Sequence, residues 1–200
     1  AYGVIGCFST QTYKHINSGE GGLITTNDPE IMAKSIALSG SYMMFEKHLS
    51  APDKAYFDEV KYETPNISGR MDQLRAAILR PQLKELDIQI TRWNKRYMII
   101  ESSLRHVQDL QIIERQTNEN FVGSSFQFLL LNRSYAEIQT IVEGCKSRGV
   151  ELKWFGQDEP LGFTSKYDSW KYIPSQKMTK SDRIINSILD MRLPLTFSLE

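Results

Sequence analysis

The sequence predicts an α/β fold, and three observations carry that reading. Two short apolar runs rich in β-branched residues, Val4-Ile5-Gly6-Cys7-Phe8 and Leu23-Ile24-Thr25-Thr26, flank a polar Gly-rich segment and read as buried strands. A long stretch places Leu86, Ile90, Trp93, Tyr97, Ile100 and Leu104 four and three residues apart, the stripe of an amphipathic helix. From Leu110 onward, short apolar runs alternate with helical patterns.

Each element has a local reason. Asp28 reads as an N-cap, with Pro29 at the first helical position and Glu30 in the first turn. That helix runs through Met32, Ala33, Ile36 and Ala37 and stops near Gly40. Residues 41–69 show little periodicity and hold Pro52, Pro65 and the aromatics Tyr42, Phe45, Tyr56, Phe57 and Tyr62. A connection of that length usually serves a site or an interface. Arg70 opens a helical pattern through Met71, Leu74, Ala77 and Ile78, which Pro81 should kink or break. The Leu86–Leu104 stripe then reads as a second helix leading into another domain.

In that domain Leu110–Ile113, Phe126–Leu131 and Val150–Phe155 read as strands. Ser134-Tyr135-Ala136-Glu137 is a capping box ahead of a helix with Ile138, Ile141, Val142 and Cys145, ending at Gly149. Residues 156–177 form an aromatic loop with Phe163, Tyr167, Trp170 and Tyr172. Ser181 is read as the cap of a last helix holding Ile184, Ile185 and Ile188.

Composition bounds the function. Of 200 residues 40% are hydrophobic and 24% charged, the balance of a globular chain. Lys+Arg and Asp+Glu number 24 each, which gives no electrostatic reason to expect nucleic acid. No apolar run is long enough to span a membrane, and the three histidines, His15, His48 and His106, are too scattered for a metal site. Cys7 and Cys145 lie in apolar settings and read as reduced core residues of a cytoplasmic protein.

The chemistry concentrates between the first two strands. The segment Ser9-Thr10-Gln11-Thr12-Tyr13-Lys14-His15-Ile16-Asn17-Ser18-Gly19-Glu20-Gly21-Gly22 holds one lysine, a hydroxyl five residues before it and glycines behind it. A lysine on a loop fixed by two strands approaches its target in a set direction. Near a core its ammonium is costly unless paired or neutralised, and a desolvated amine is a nucleophile or base. Formation of a Schiff base with a carbonyl compound, pyridoxal phosphate included, is one standard use. Ser9 suits a phosphate as donor, and glycines let backbone N–H groups approach an anion. A solvated loop lysine has the same composition, so both readings stand on the residues alone.

Ser9-x-x-x-x-Lys14 followed by Gly19-Glu20-Gly21-Gly22 and Thr25-Thr26-Asn27-Asp28 resembles the cofactor-lysine segment of the DegT/DnrJ/EryC1/StrS aminotransferases. A second block, Gly69-Arg70-Met71-Asp72-Gln73-Leu74-Arg75-Ala76-Ala77-Ile78 with Gln82-Leu83 behind it, is similar to the next motif of that family, at the expected distance. The resemblance continues more loosely to the C-terminal end. It implies a fold-type-I pyridoxal-phosphate-dependent transferase, homodimeric, with active sites shared between subunits. Glutamate or glutamine would be the amino donor, and a keto sugar nucleotide or keto cyclitol the acceptor.

On this reading residues 1–84 are the C-terminal part of a large cofactor-binding domain. Residues 85–200 are a connecting helix and a small α/β domain. The chain starts just before the cofactor lysine and stops just after Leu193-Pro194-Leu195, so it is expected to be the C-terminal half of a longer enzyme, inactive by itself.

Residue by residue, the resemblance makes Lys14 the Schiff-base and proton-transfer lysine and Ser9 the phosphate serine. Gln11 occupies a place where many sugar-nucleotide members have histidine or tyrosine, and is similar to the cyclitol branch. It is expected at the cofactor's ring hydroxyl or the substrate. The family has Asn-x-Arg before its methionine, and that asparagine reaches the partner subunit's phosphate. Counting back from Arg70, Ser68 holds the asparagine place and Asn66 is two residues early, so either is a candidate. Glu20 is read as fixing its own turn, and Trp154, Phe155 and Trp170 as core or as the lining of a substrate mouth. Two rival functions remain. One is a sugar dehydratase of the same fold, in which the resembled enzymes carry histidine in place of the lysine. The other is a non-catalytic phosphate- or cofactor-binding relative.

Overall fold

The computed structural model describes residues 3–41, 43–159, 165–174, 176–196 and 198–199. Tyr42 and Phe163, named above, lie outside the described residues. The chain forms two compact units, Ala1–Leu86 and Asp87–Glu200.

In the first unit, strands β1 (Ile5–Ser9) and β2 (Gly22–Thr26) pair antiparallel, with Ser9 opposite Gly22 and Ile5 opposite Thr26. The strands are where the sequence puts them, but they are not buried: Val4, Ile5, Phe8 and Ile24 are 48–68% exposed. Among the described residues the two strands pair only with each other, so no further strand covers their edges. Cys7 is exposed for the same reason and is not the core residue its apolar neighbours suggest.

Helix α1 (Pro29–Leu38) starts as expected: the Asp28 carboxylate accepts the N–H groups of Glu30 and Ile31 at 2.9 and 3.1 Å. The connection after it is shorter than the sequence suggests. It contains a 3-10 turn (Phe45–Lys47) and helix α2 (Lys54–Val60), whose N-cap Asp53 accepts the Ala55 N–H. Phe57 and Val60 of α2 pack on Ala33 and Ile36 of α1, all four buried, and the Phe45 ring lies 4.5 Å from that of Phe57. Seven residues with two inward positions are too few to register as helical periodicity.

Helix α3 (Gln73–Leu104) is one element, not two, and runs through Pro81 without interruption. Proline removes one ladder bond and crowds the preceding turn, at about 3 kcal/mol. The two flanking arms are long enough to hold the helix together despite that loss.

The second unit holds a four-stranded antiparallel sheet: β3 (Leu110–Ile112), β4 (Ser125–Leu130), β5 (Lys153–Trp154) and β6 (Ile188–Arg192), in the order β3-β4-β6-β5. Helices α4 (Tyr135–Lys146) and α5 (Thr179–Ile185) complete it. One face of the sheet carries Phe126, Phe128, Leu130, Trp154 and Leu189, which form the core with Tyr97 of α3, Ile138 of α4, Leu152 and Leu193. Trp154 is therefore core, its indole N–H satisfied by the Asn186 carbonyl at 2.9 Å.

Three expectations are corrected here. The strand read over 150–155 shrinks to Lys153–Trp154. Helix α5 begins at Thr179 with no side-chain cap, so Ser181 sits inside its first turn. Ile188 belongs to β6, because Asn186 and Ser187 turn the chain before it.

The capping box of α4 forms in full: the Ser134 hydroxyl accepts the Glu137 N–H, and the Glu137 carboxylate accepts the Ser134 N–H at 2.7 Å. The Ser134 hydroxyl and N–H, with Arg133 behind them, hold the Glu137 carboxyl below its usual range. A lowered folded pKa means this link stabilises the fold above the ordinary glutamate range, and the stabilisation is lost as pH falls through the lowered value. Urea titrations of wild type and Ser134→Ala should therefore diverge at neutral pH and converge on the acid side; parallel curves at every pH would contradict it. No described helix is long and apolar enough to cross a membrane.

Candidate active site

The Lys14 loop, residues 10–21, is a laced hairpin end rather than a free loop. Beyond the β1–β2 ladder, the Thr10 N–H donates to the Gly21 carbonyl at 2.9 Å and the Ser18 N–H to the Thr10 carbonyl at 3.0 Å. Further out, the Thr12 N–H and hydroxyl both reach the Gly19 carbonyl, at 3.0 and 3.1 Å. Two glycines make this possible, Gly19 at φ 88° and Gly21 at φ 129°, conformations that L side chains rarely adopt. A Cβ on Gly21 would stand 2.8 Å from Thr10 Oγ1 and 2.9 Å from Met71 Cε. Gly21→Ala is thus expected to lower stability by about 1–3 kcal/mol, read in a denaturant titration. An unchanged midpoint would mean the loop relaxes around the methyl group.

Lys14 is held through its backbone. Its N–H donates to the Gln11 carbonyl at 2.9 Å, and its carbonyl accepts from Asn17 Nδ2 at 3.3 Å. The residue itself is exposed, and among the described residues its amine makes no ion pair. So the lysine is positioned by the loop and its amine is available. The rigidity expected from two flanking strands is present, but it comes from loop bonds, not from a buried setting.

Ser9 is exposed at the end of β1, and its Oγ accepts the Gln11 N–H at 3.3 Å. That contact uses a lone pair and leaves the hydroxyl proton to donate. Gln11 is half-buried, with Oε1 3.5 Å from the Tyr13 N–H, at the outer limit of a bond. The Glu20 carboxylate is exposed and does not fix the turn; the Glu20 backbone carbonyl does, accepting from Ser18 Oγ at 3.1 Å.

Asn66 and Ser68 form a unit of their own. Asn66 Oδ1 accepts from the Ser68 N–H at 2.8 Å and from its hydroxyl at 3.3 Å, and Ser68 takes φ 51°. A non-glycine residue there is mildly strained and held by its surroundings. The segment docks on the end of α1: the Ile67 N–H donates to the Leu38 carbonyl at 3.0 Å, and Arg70 Nη1 lies 3.5 Å from the Gly40 carbonyl. Among the described residues no hydrogen bond joins Asn66 or Ser68 to the Lys14 loop.

Two residues given no role in the sequence bear on the loop. Thr10 is fully buried, with a hydroxyl that has no partner. Gln82 of α3 clamps Asn17 through both ends of its amide. Gln82 lies in the second family block, but its clamp has no local pattern, because it spans 65 positions. In the second unit, Phe155 lines a hollow of about 410 Å³ with Lys166, Tyr167, Asp182 and Asn186. The Asp182 carboxylate, accepting the Tyr167 hydroxyl, pushes the Tyr167 phenol up.

The donor set fits a phosphorylated aldehyde cofactor. It offers a fixed lysine with an accessible amine, a serine hydroxyl free to donate, and a buried threonine hydroxyl without a partner.

The profile of the DegT/DnrJ/EryC1/StrS aminotransferase family matches residues 1–200. The fold is also that of solved structures. The Streptoalloteichus hindustanus aminotransferase TlmJ superimposes with a TM-score of 0.73 at 14% identity, over 98% of this chain and 48% of that one. Helicobacter pylori PseC, an aminotransferase involved in the biosynthesis of pseudoaminic acid, gives 0.74 at 14%, over 98% and 49%. The E. coli GDP-4-keto-6-deoxy-D-mannose-3-dehydratase with bound hydrated pyridoxal phosphate gives 0.72 at 21%, over 97% and 51%. The chain spans about half the length of these structures. The architecture is α/β of fold type I, and pyridoxal 5'-phosphate is the cofactor that goes with it. With the lysine loop formed and the family profile matched from end to end, the chain belongs to the DegT/DnrJ/EryC1/StrS aminotransferase family.

Proposed function

We propose that this chain carries the lysine-bearing part of a pyridoxal-phosphate-dependent sugar-modifying enzyme. Its reaction is transfer of an amino group from glutamate or glutamine to a keto sugar nucleotide or keto cyclitol. The observation that carries this reading is Lys14: backbone held on both sides, amine exposed and unpaired.

When bound, the cofactor supplies an electron sink for the carbanion at the donor's Cα. The chain's own residues do the rest. Lys14 would hold the cofactor through its amine and would serve as the base and acid that moves the proton at the donor's Cα. Ser9 donates its hydroxyl proton to the phosphate, since its lone pair already takes the Gln11 N–H. The Gln11 amide nitrogen is left to donate to a ring hydroxyl or to the substrate. Asn66 and Ser68 are proposed to reach the phosphate of a second subunit in a homodimer with shared sites. We place the enzyme in the cytoplasm, on its two free cysteines.

Similarity to the dehydratase keeps a second reading in view. Lys14 speaks against it, because the resembled dehydratases have histidine there. Borohydride reduction of the complete protein with pyridoxal phosphate, followed by peptide mapping, tests the proposal. An adduct on Lys14 and an aminated product support it. A deoxygenated product without added nitrogen would favour the dehydratase, and no adduct the non-catalytic reading.

A further inference from the structure

The geometry points to Gln82 as a positioning residue for Lys14, an inference that rests on Lys14 being the cofactor lysine. Gln82 Oε1 accepts the Asn17 N–H at 2.9 Å, and Gln82 Nε2 donates back to the Asn17 carbonyl at 2.7 Å. The side-chain amide thus pairs with one backbone unit of the loop as a neighbouring strand would. Its second amide hydrogen goes to the Ile78 carbonyl at 3.0 Å, one turn back on α3. One acceptor and two donors are all in use, which fixes both the rotamer and the flip of the amide.

The link then continues to the lysine. Asn17 Nδ2 donates to the Lys14 carbonyl at 3.3 Å, and the Lys14 N–H is tied to Gln11 at 2.9 Å. Helix α3 therefore reaches the lysine backbone through two residues. Met71, just ahead of α3, makes a second contact, its Cε lying against Gly21 on the other limb of the loop. Among the described residues β1 and β2 pair with no other strand, and these ties join the hairpin end to a helix. A proton-transfer amine misplaced by even 1 Å loses rate steeply.

Gln82→Glu isolates the effect. It keeps the shape and the acceptor for the Asn17 N–H, but sets a carboxylate oxygen against two carbonyls. Gln82→Ala removes the clamp entirely. Asn17→Ala leaves the clamp, which uses Asn17 backbone atoms, and cuts only the link to the Lys14 carbonyl.

The experiment compares these variants with wild type in the complete, cofactor-loaded protein. Both Gln82 variants should lower kcat about 10- to 100-fold, with the acceptor KM within about twofold of wild type. The pH midpoint of the bound cofactor's visible absorption should move, because it titrates at the lysine-linked nitrogen. In cofactor-free protein, amide exchange over residues 11–19 should quicken. Asn17→Ala should give a smaller fall in kcat in the same sense. Folded Gln82 variants with unchanged kcat and absorption midpoint overturn the inference, and so does a lowered melting temperature with those two unchanged. Should Gln82→Ala not fold, Asn17→Ala with wild-type kcat and midpoint overturns it. Wild-type protein in which borohydride leaves Lys14 unlabelled is a different failure: it removes the lysine reading itself.

Discussion

On the proposed function, Lys14→Ala in the complete protein is expected to lower transamination by roughly 10⁴-fold, and Lys14→Arg is expected not to restore it. The alanine variant has no amine to attach the cofactor or to carry the proton. The arginine variant keeps the charge, but a guanidinium stays protonated and cannot serve as the base. The surrounding structure should be indifferent to the change. The Lys14 contacts that hold the loop are made by its N–H and carbonyl, which every substitution except proline retains. Melting temperature and loop amide exchange should match wild type while kcat collapses. If turnover survives in Lys14→Ala, the lysine is scaffold and another group carries the chemistry.

The largest stability effect is expected far from the lysine. Phe126 on β4 is completely buried, with the rings of Tyr97 and Phe128 4.9 and 6.0 Å away. Phe126→Ala removes a large side chain from a site fenced by α3 and the sheet, which collapses only partly around the gap. The expected loss is about 3–5 kcal/mol. Against a whole-domain stability of about 5–15 kcal/mol, that change alone brings the second unit close to unfolding at ambient temperature. Urea unfolding followed by tryptophan fluorescence reads it directly through Trp154, which lies in the same core. A midpoint within error of wild type would show that the cavity refills.

Much of this was legible in the sequence, for reasons that can be named. Asp28-Pro29-Glu30 and the Ser134–Glu137 box are local devices, complete within four residues, so they read correctly without tertiary knowledge. The Lys14 loop was visible because two β-branched runs bracket a Gly-rich polar segment, and both strands form where they were expected.

What failed depended on distant partners. The apolar residues of β1 and β2 read as buried and are exposed in this chain, which spans about half the length of the similar structures. Strand β6 was absorbed into the preceding helix because Asp190 interrupts its apolar run; that carboxylate is buried in the fold, with Arg192 Nε 3.7 Å away. Pro81 argued for a break, but propensity is local and a helix of 32 residues outweighs one lost bond. At the site, Lys14, Ser9 and Gln11 were legible as candidates, and the structure sets them on one hairpin end. The Gln82 clamp was not, because it is a fact of three-dimensional packing.

The strand order of the second unit bears on how the protein is made. β6 lies between β4 and β5, and β5 has no other partner among the described strands. As the chain leaves the ribosome, β3 and β4 can pair early, but β5 must wait with an open edge until residues 188–192 emerge. A nascent or prematurely terminated chain that lacks those five residues therefore exposes two strand edges and the apolar face that Leu189 would cover. For this sheet, closure between β4 and β5 waits for β6, and a stop codon just before it would yield a product for chaperones and proteases rather than a shortened domain.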